Sequence, residues 1–166
     1  MSLTTINNTD TAQLTSLFED CCCAPKWIEG MVNAHPFATP QALLAAAKSS
    51  FSSLTEADWL TAFSGHPQIG NLDTLHEKYA STSHTASNEQ AGMSIAETST
   101  LQAMLELNQQ YLERFGFIFI VCASGKSAQE MLTLIKARIN NERSTELAIA
   151  AGEQAKITQL RLEKLL

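Results

Sequence analysis

Residues 96–123 read AETSTLQAMLELNQQYLERFGFIFIVCA and contain the two features that decide the fold. In the first part, apolar residues recur at helical spacing, which predicts one long helix from about residue 96 to Gly116. Its apolar stripe consists of Leu101, Met104, Leu105, Tyr111, Leu112 and Phe115. The second part, residues 117–123, is an apolar, β-branched run of the kind found in buried strands.

No other stretch of the sequence has strand character, so residues 117–123 have no predicted partner in a sheet. A buried extended segment must still bond its amides to something, either to neighbouring loops or to a ligand. We therefore expect an all-α protein, a single-domain irregular bundle of about eight to nine helices over residues 1–166, with one extended buried segment near 117–123.

The other helices are predicted from capping residues, prolines and apolar stripes. Thr55 and Asp58 have the spacing of a cap with an acidic third residue, which predicts a helix from about Glu56 to Phe63. A polar run before Glu89 and Gln90 predicts a further helix start. The remaining helices are expected after Asp10, Pro25, Pro40 and Ser127, over residues 72–80, and from about Ser144 onward.

Composition excludes several classes of protein. The chain has 166 residues, 45% hydrophobic and 17% charged, which is typical of a globular domain. A net charge of −6 without a basic cluster argues against nucleic acid as a partner. No apolar run approaches the ~20 residues of a membrane span, and the N-terminus lacks the pattern of a secretory signal, so we expect a cytoplasmic protein with no membrane partner.

Metal and cofactor motifs are missing from the sequence. Three of the four cysteines, Cys21, Cys22 and Cys23, are consecutive, which does not provide zinc-ligand spacing and favours reduced, partly buried thiols. Residues 124–127, Ser-Gly-Lys-Ser, resemble the end of a phosphate-binding loop, but Ile120 stands where its first glycine belongs. We predict no metal and no cofactor, with Ser127 capping a helix.

His66 and Arg161 are the polar residues that suggest chemistry. The ring of Pro67 holds His66 out of helical geometry at the end of a helix, and histidine can move a proton near neutral pH. Arg161 shares an apolar stripe with Ile157 and Leu165, so it needs an anionic partner if that stripe is buried. The alternative for His66 is a structural role. For Arg161 the alternatives are an internal salt bridge to an acid such as Glu153 or Glu163, or a side chain that snorkels to solvent. Arg138 is predicted to form a surface pair with Glu142 one helical turn later.

Three motifs in order resemble the OHCU decarboxylase family. They are His66-Pro67-x-Ile69-Gly70, then Glu89-Gln90-Ala91-Gly92, then Phe115-Gly116-Phe117-Ile118-Phe119. The flanking residues agree: Phe18-Glu19 with Trp27, Pro36-Phe37 and Arg161-Leu162 stand where the family has similar residues. The resemblance covers nearly the whole chain.

The resemblance implies a cofactor-free decarboxylase, often dimeric, in the route from urate to allantoin. Its substrate would be the small anionic 2-oxo-4-hydroxy-4-carboxy-5-ureidoimidazoline, and its products CO2 and (S)-allantoin. His66 and Glu89 match the family's catalytic residues. The substrate-binding residues implied are Pro67, Ser87, Gln90, Phe119, Ile120, Val121 and Arg161. Ala86 stands where members commonly have serine, with Ser87 one place later, so the register of that loop and a role for Ser87 stay open.

Two other functions are open at this point. A non-enzymatic helical module that binds a partner through apolar helix faces fits the composition, but it gives no reason for His66, Glu89 and Arg161 to occur together. A hydrolase of a related ureide is the other alternative. Such hydrolases commonly use metal-bound water, for which the sequence has no ligand spacing.

Overall fold

The computed structural model describes residues 1–80 and 95–166, and within them nine helices. Their order is α1 (Leu3–Asn7), α2 (Thr11–Glu19), α3 (Pro25–Ala34), α4 (Pro40–Ser52), α5 (Glu56–Ser64), α6 (Leu72–Ala80), α7 (Ile95–Phe115), α8 (Ala128–Arg138) and α9 (Arg143–Leu165). The all-α class is confirmed. The helix start predicted at Glu89 and Gln90 lies outside the described residues.

Most of the helices begin at the caps that the sequence predicts. The Asp10 carboxylate accepts a hydrogen bond from the backbone N–H of Gln13 at 2.9 Å, which starts α2. Capping boxes start α5, between Thr55 and Asp58, and α8, between Ser127 and Glu130. These local bonds satisfy amides that a helix leaves unpaired in its first turn, so the boundaries follow from short stretches of sequence.

The chain divides into two compact units. The first consists of Met1–His66, Ile120–Cys122 and Ile149–Leu166, and the second of Pro67–Phe119 and Ala123–Ala148. The prediction of a single domain over residues 1–166 stays a prediction. Within the described residues, no helix combines the length and the apolar character needed to cross a membrane.

The core of the first unit is apolar and aromatic. Trp27 is fully buried, and its indole N–H donates to the carbonyl of Ala47 at 3.1 Å. Its ring stacks on Phe51, which stacks in turn on Trp59, with ring centroids 5.4 and 5.1 Å apart. Leu162 of α9 belongs to the same core, so this helix is anchored by its apolar face.

The second unit contains a buried charged network. Arg138, only 7% exposed, forms an ion pair with Glu146 at 2.5 Å. The hydroxyl of Tyr111 donates to the same carboxylate at 2.5 Å, and burial raises the pKa of this phenol above its ordinary range, so it stays protonated. The prediction that Arg138 forms a surface pair with Glu142 is wrong: Arg138 is buried and pairs with Glu146 of the next helix.

Residues 117–123 form neither a helix nor a strand, in agreement with the prediction that they have no partner in a sheet. Phe117 and Ile120 are buried, and the other side chains of the segment are half-buried. Within the second unit, the Arg138 guanidinium lies 4.5 Å from the centroid of the Phe119 ring. Within the first unit, the backbone N–H of Cys122 donates to the Glu153 carboxylate at 2.8 Å. One of the amides without a sheet partner therefore bonds to an acidic side chain of α9.

Candidate active site

A polar cavity of about 240 Å³ lies in the first unit. Its lining comes from the end of α2 and the loop after it, from the end of α5, and from one face of α9. The lining residues are Glu19, Asp20, Cys22, Cys23, Ala62, Gly65, His66, Gln154 and Arg161. Most of them are polar or ionisable, so the cavity suits a small polar ligand rather than an apolar one.

His66 reaches this cavity because α5 ends just before it. Gly65 is the C-cap of α5, and the backbone N–H of His66 donates to the carbonyl of Phe63 at 3.1 Å. Gly65 passes so close to Cys23 that a Cβ atom on it would lie 2.4 Å from the Cys23 sulfur. A larger residue would require the Cys23 side chain to move, and the close approach places the following histidine at the cavity wall.

The imidazole of His66 is half-buried, and its Nε2 atom lies 2.5 Å from the Oε1 atom of Gln154. Burial is the main reason why the pKa of His66 is lowered below its ordinary value of 6.5, and the positive charge of Arg161 lowers it further. The hydrogen bond with Gln154 acts in the opposite direction but does not reverse the shift. His66 is therefore neutral at pH 7 and ready to accept a proton.

Arg161 is half-buried and has no carboxylate within ion-pair distance among the described residues. Its Nη1 group donates to the carbonyls of Cys21 and Asp20, at 3.1 and 3.4 Å, just after the end of α2. A cation is favourable at the C-terminus of a helix, so these carbonyls hold the guanidinium in place without neutralising it.

The acids proposed as alternative partners of Arg161 bond elsewhere. Glu153 forms an ion pair with Lys156 at 2.6 Å, and Glu163 accepts a hydrogen bond from Gln159 at 2.8 Å. Arg161 therefore forms no salt bridge with Glu153 or Glu163, and no carboxylate of the described residues neutralises its charge.

Cys22 and Cys23 line the cavity, Cys21 precedes them in the chain, and all three are free thiols. Burial raises the pKa of both Cys21 and Cys22 to about 11, so both stay protonated at neutral pH and are poor nucleophiles. Cys23 is half-buried, and its thiol donates to the carbonyl of Thr61 at 3.2 Å. The described residues contain no group of three His, Cys, Asp or Glu side chains that could hold a metal ion.

Of the residues predicted for the site, His66 and Arg161 line the same cavity. Ile120 and Val121 belong to the same unit, and the backbone of Val121 makes no hydrogen bond with the described residues. Pro67 and Phe119 belong to the second unit. The predicted residues Ser87, Glu89 and Gln90 lie outside the described residues.

Gln154 is a cavity residue that the sequence reasoning missed. It stands seven residues before Arg161 on α9, which is two helical turns and the same face. Once Arg161 is placed in a site, this spacing makes Gln154 a candidate. A glutamine alone carries no charge or motif that would have drawn attention to it.

The chain is similar to proteins of urate degradation. Residues 7–163 match the family model described as OHCU decarboxylase. The "Uric acid degradation bifunctional protein TTL" of Arabidopsis thaliana is 39% identical over 145 residues, which are 87% of this chain and 45% of that protein. The chain thus spans less than half the length of this relative.

Shorter relatives match along most of their length. The "2-oxo-4-hydroxy-4-carboxy-5-ureidoimidazoline decarboxylase" of Amia calva is 32% identical over 134 residues, 81% of this chain and 76% of that one. A crystal structure titled as OHCU decarboxylase in the presence of (S)-allantoin is 36% identical, has a TM-score of 0.72, and matches 95% of this chain and 98% of that one. Because the family model matches residues 7–163 and the related crystal structure shares the fold, this chain belongs to the OHCU decarboxylase family.

Proposed function

We propose that this chain decarboxylates 2-oxo-4-hydroxy-4-carboxy-5-ureidoimidazoline to (S)-allantoin and CO2 without a cofactor. The observation that carries the proposal is the cavity that His66, with its lowered pKa, shares with Arg161, an arginine that has no carboxylate partner among the described residues. A small anionic heterocycle requires this pairing of a fixed positive charge with a group that exchanges protons.

Arg161 is proposed to bind the substrate through its negative charge. A guanidinium has five N–H donors, and only Nη1 is bonded within the described residues. The other donors are suited to a carboxylate or a ring carbonyl, whose hydrogen bonds with a cation are shorter and stronger than neutral ones. Because no carboxylate among the described residues neutralises this charge, binding would not first require a salt bridge with them to break.

His66 is proposed to manage the protons of the reaction. When the bond to CO2 breaks, its electron pair passes into the adjacent ring C=N group, so no cofactor is needed as an electron sink. The ring nitrogen that receives this electron pair takes up one proton from solvent, which gives an enol. The enol then loses its hydroxyl proton as a carbonyl forms, and the adjacent ring carbon gains a proton on one face. Neutral His66 accepts the hydroxyl proton, and its protonated form can then act as the acid.

The other predicted residues enter the proposal through family resemblance. Glu89 would orient His66 or the substrate, while Pro67, Ser87, Gln90 and Phe119 would contact the substrate. Residues 120 and 121 would offer backbone groups to it, which agrees with the Val121 amide having no partner among the described residues. A homodimer, a cytoplasmic location and the absence of a nucleic-acid partner stay predictions from the sequence.

In the direct test, one enzyme oxidises urate and a second hydrates the product, which gives the unstable substrate. This protein is then added. We expect faster decay of the ultraviolet absorbance and a circular dichroism signal from one allantoin enantiomer. Decay at the spontaneous rate to racemic allantoin would contradict the proposal. A stable product other than allantoin would indicate a hydrolase instead.

His66→Ala tests the proposed proton transfer. The loss of a general acid or base costs roughly 10²- to 10⁴-fold in rate, so we expect kcat to fall by that factor while the protein stays folded. His76→Ala is the matched control, because this half-buried histidine of α6 does not line the cavity. Near-full turnover of His66→Ala, or an equal loss in His76→Ala, would exclude the assigned role.

A further inference from the structure

Gln154 is buried next to His66, and both ends of its side-chain amide are hydrogen bonded. It is 1% exposed and lies on the face of α9 that lines the cavity. Its Oε1 atom is 2.5 Å from His66 Nε2, and its Nε2 atom is 3.1 Å from the hydroxyl oxygen of Thr158, one helical turn later. A side chain held at both ends has a defined orientation.

The second partner of Thr158 determines which end of the amide faces His66. The Thr158 hydroxyl lies 3.4 Å from the backbone carbonyl of Cys21, and a carbonyl only accepts hydrogen bonds. The hydroxyl therefore donates its proton to Cys21 and presents its lone pairs to Gln154. The NH2 group of Gln154 donates to these lone pairs, which leaves the amide oxygen directed at His66.

An amide oxygen can bond only to a ring nitrogen that carries a proton. In histidine, the hydrogen bond made by one ring nitrogen fixes which of the two is protonated. We propose that Gln154, held by Thr158, is a positioning residue that keeps the proton of neutral His66 on Nε2 and leaves Nδ1 as the nitrogen that exchanges protons with the substrate. This role rests on the proposed function for its chemistry, but the tautomer itself is a property of the free protein.

The charged groups that line the cavity do not determine the tautomer of His66, and its hydrogen bonds do. Arg161, Glu19 and Asp20 are the charged side chains that line the cavity with His66, and His66 forms no ion pair with either acid. Cys22 contacts Thr158 and stays a neutral thiol, because burial raises its pKa to about 11. Neutral His66 has Gln154 as its side-chain hydrogen-bond partner within the described residues.

The tautomer is tested by long-range ¹H–¹⁵N correlation spectra of the free protein above pH 7, with His66 assigned by its loss in His66→Ala. We expect the pattern of an Nε2–H tautomer in the wild type. Gln154→Met removes the acceptor at similar volume and should give a mixture of both tautomers. Gln154→Glu keeps an acceptor and should retain the Nε2–H form.

Kinetics then separate positioning from mere packing. Gln154→Met should lower kcat by about 10- to 100-fold, the usual cost of losing the partner that orients a functional histidine, with little change in KM. Gln154→Glu should rescue part of this loss and move the acid limb of the pH profile to higher pH, because a carboxylate favours protonated His66. A packing role predicts neither the rescue nor the shift.

Thr158 provides a test outside the cavity lining. Thr158→Val removes the hydroxyl that orients Gln154 and should reproduce the mixed tautomers, whereas Thr158→Ser keeps the hydroxyl and should resemble the wild type. Thermal unfolding of each variant checks that it is folded. If Gln154→Met does not fold, the comparison of Thr158→Val with Thr158→Ser tests the same point.

Two results would overturn the inference: an Nδ1–H pattern in the wild type, or a wild-type tautomer and kcat in folded Gln154→Met and Thr158→Val. Failure of the proposed function has a different signature. In that case the wild type does not accelerate substrate decay, while the spectra still decide whether Gln154 fixes the tautomer.

Discussion

Arg138 and Arg161 both lie on helices, but their guanidinium groups have different kinds of partner. Arg138 is 7% exposed, pairs with the fully buried Glu146, and lies over the ring of Phe119. Arg161 is half-buried and bonds only to backbone carbonyls among the described residues. Each belongs to a different compact unit.

The difference separates a structural charge from a functional one. In a buried ion pair each charge compensates the other, so removing one leaves the other uncompensated. A guanidinium held by carbonyls keeps its full positive charge, and its field extends into the adjoining cavity. The presence or absence of a carboxylate partner, rather than burial alone, indicates which arginine can bind an anionic ligand.

The largest effect expected from this comparison is on stability at the buried pair. Arg138→Met leaves the Glu146 carboxylate buried without its partner, which typically costs about 3–5 kcal/mol. We expect the free energy of unfolding, measured by urea denaturation, to fall by that amount. Since whole domains are stable by only about 5–15 kcal/mol, this loss is a large fraction of the total, and the variant should unfold at a clearly lower urea concentration.

The double variant Arg138→Met with Glu146→Leu is the control for this experiment. Replacing both charges by apolar side chains of similar size is often neutral, but here the buried Tyr111 hydroxyl also loses its acceptor, so we expect only part of the lost stability to return. A loss below about 1 kcal/mol in the single variant would match an exposed pair and contradict the structural assignment of Arg138.

The next effect is on binding, at Arg161. Arg161→Met keeps the length of the side chain and removes the guanidinium. A hydrogen bond with a charged group contributes about 1.5–3 kcal/mol, which corresponds to roughly a 10- to 150-fold rise in KM. The free energy of unfolding should change by only about 1 kcal/mol, because the bonds lost are two half-exposed contacts with carbonyls. Substrate saturation curves and urea denaturation measure the two quantities.

Arg161→Lys sharpens the same test. Lysine keeps the charge but not the planar fork of donors, so we expect a KM between those of the wild type and Arg161→Met. An unchanged KM in Arg161→Met, or a loss of stability as large as that of Arg138→Met, would remove the distinction between the two arginines.

The helix boundaries and turns that depend on residues close together in the chain are predicted from the sequence. The capping box of Thr55 and Asp58 and the turn at His66-Pro67 each depend on residues a few positions apart, and the structure has α5 ending where His66 can reach the cavity. Helix α1 was missed because its five residues have a single buried anchor, Ile6, which is too little for a periodic pattern.

Features that depend on packing between elements were not predictable from spacing. The pair of Arg138 with Glu146 was missed because α8 ends at Arg138. The one-turn rule that favoured Glu142 applies only within a continuous helix. Gln154 was missed for a similar reason, since its function depends on two partners, His66 and Thr158, one of which is 88 residues away in sequence.

The smallest expected effect is on the pH dependence of stability, through the free energy that it costs to bury His66 in the cavity. Its folded-state pKa is lowered below 6.5, mainly by burial, so between the two pKa values the unfolded chain binds more protons than the folded one. The free energy of unfolding should therefore rise with pH across that interval and be fully recovered above 6.5. Urea denaturation of the wild type and of His66→Gln, from pH 4.5 to 8, measures this contribution as the difference between the two curves.

The direction in which that difference changes with pH decides how His66 begins the reaction. Other titrating groups contribute to both curves and cancel, so a difference that grows with pH isolates a histidine held neutral, as a proton acceptor requires. A difference that shrinks with pH would mean that the folded protein holds His66 charged, as a carboxylate partner such as Glu89 would do. The environment formed by Gln154 and Arg161 would then be outweighed, and His66 would start as the acid.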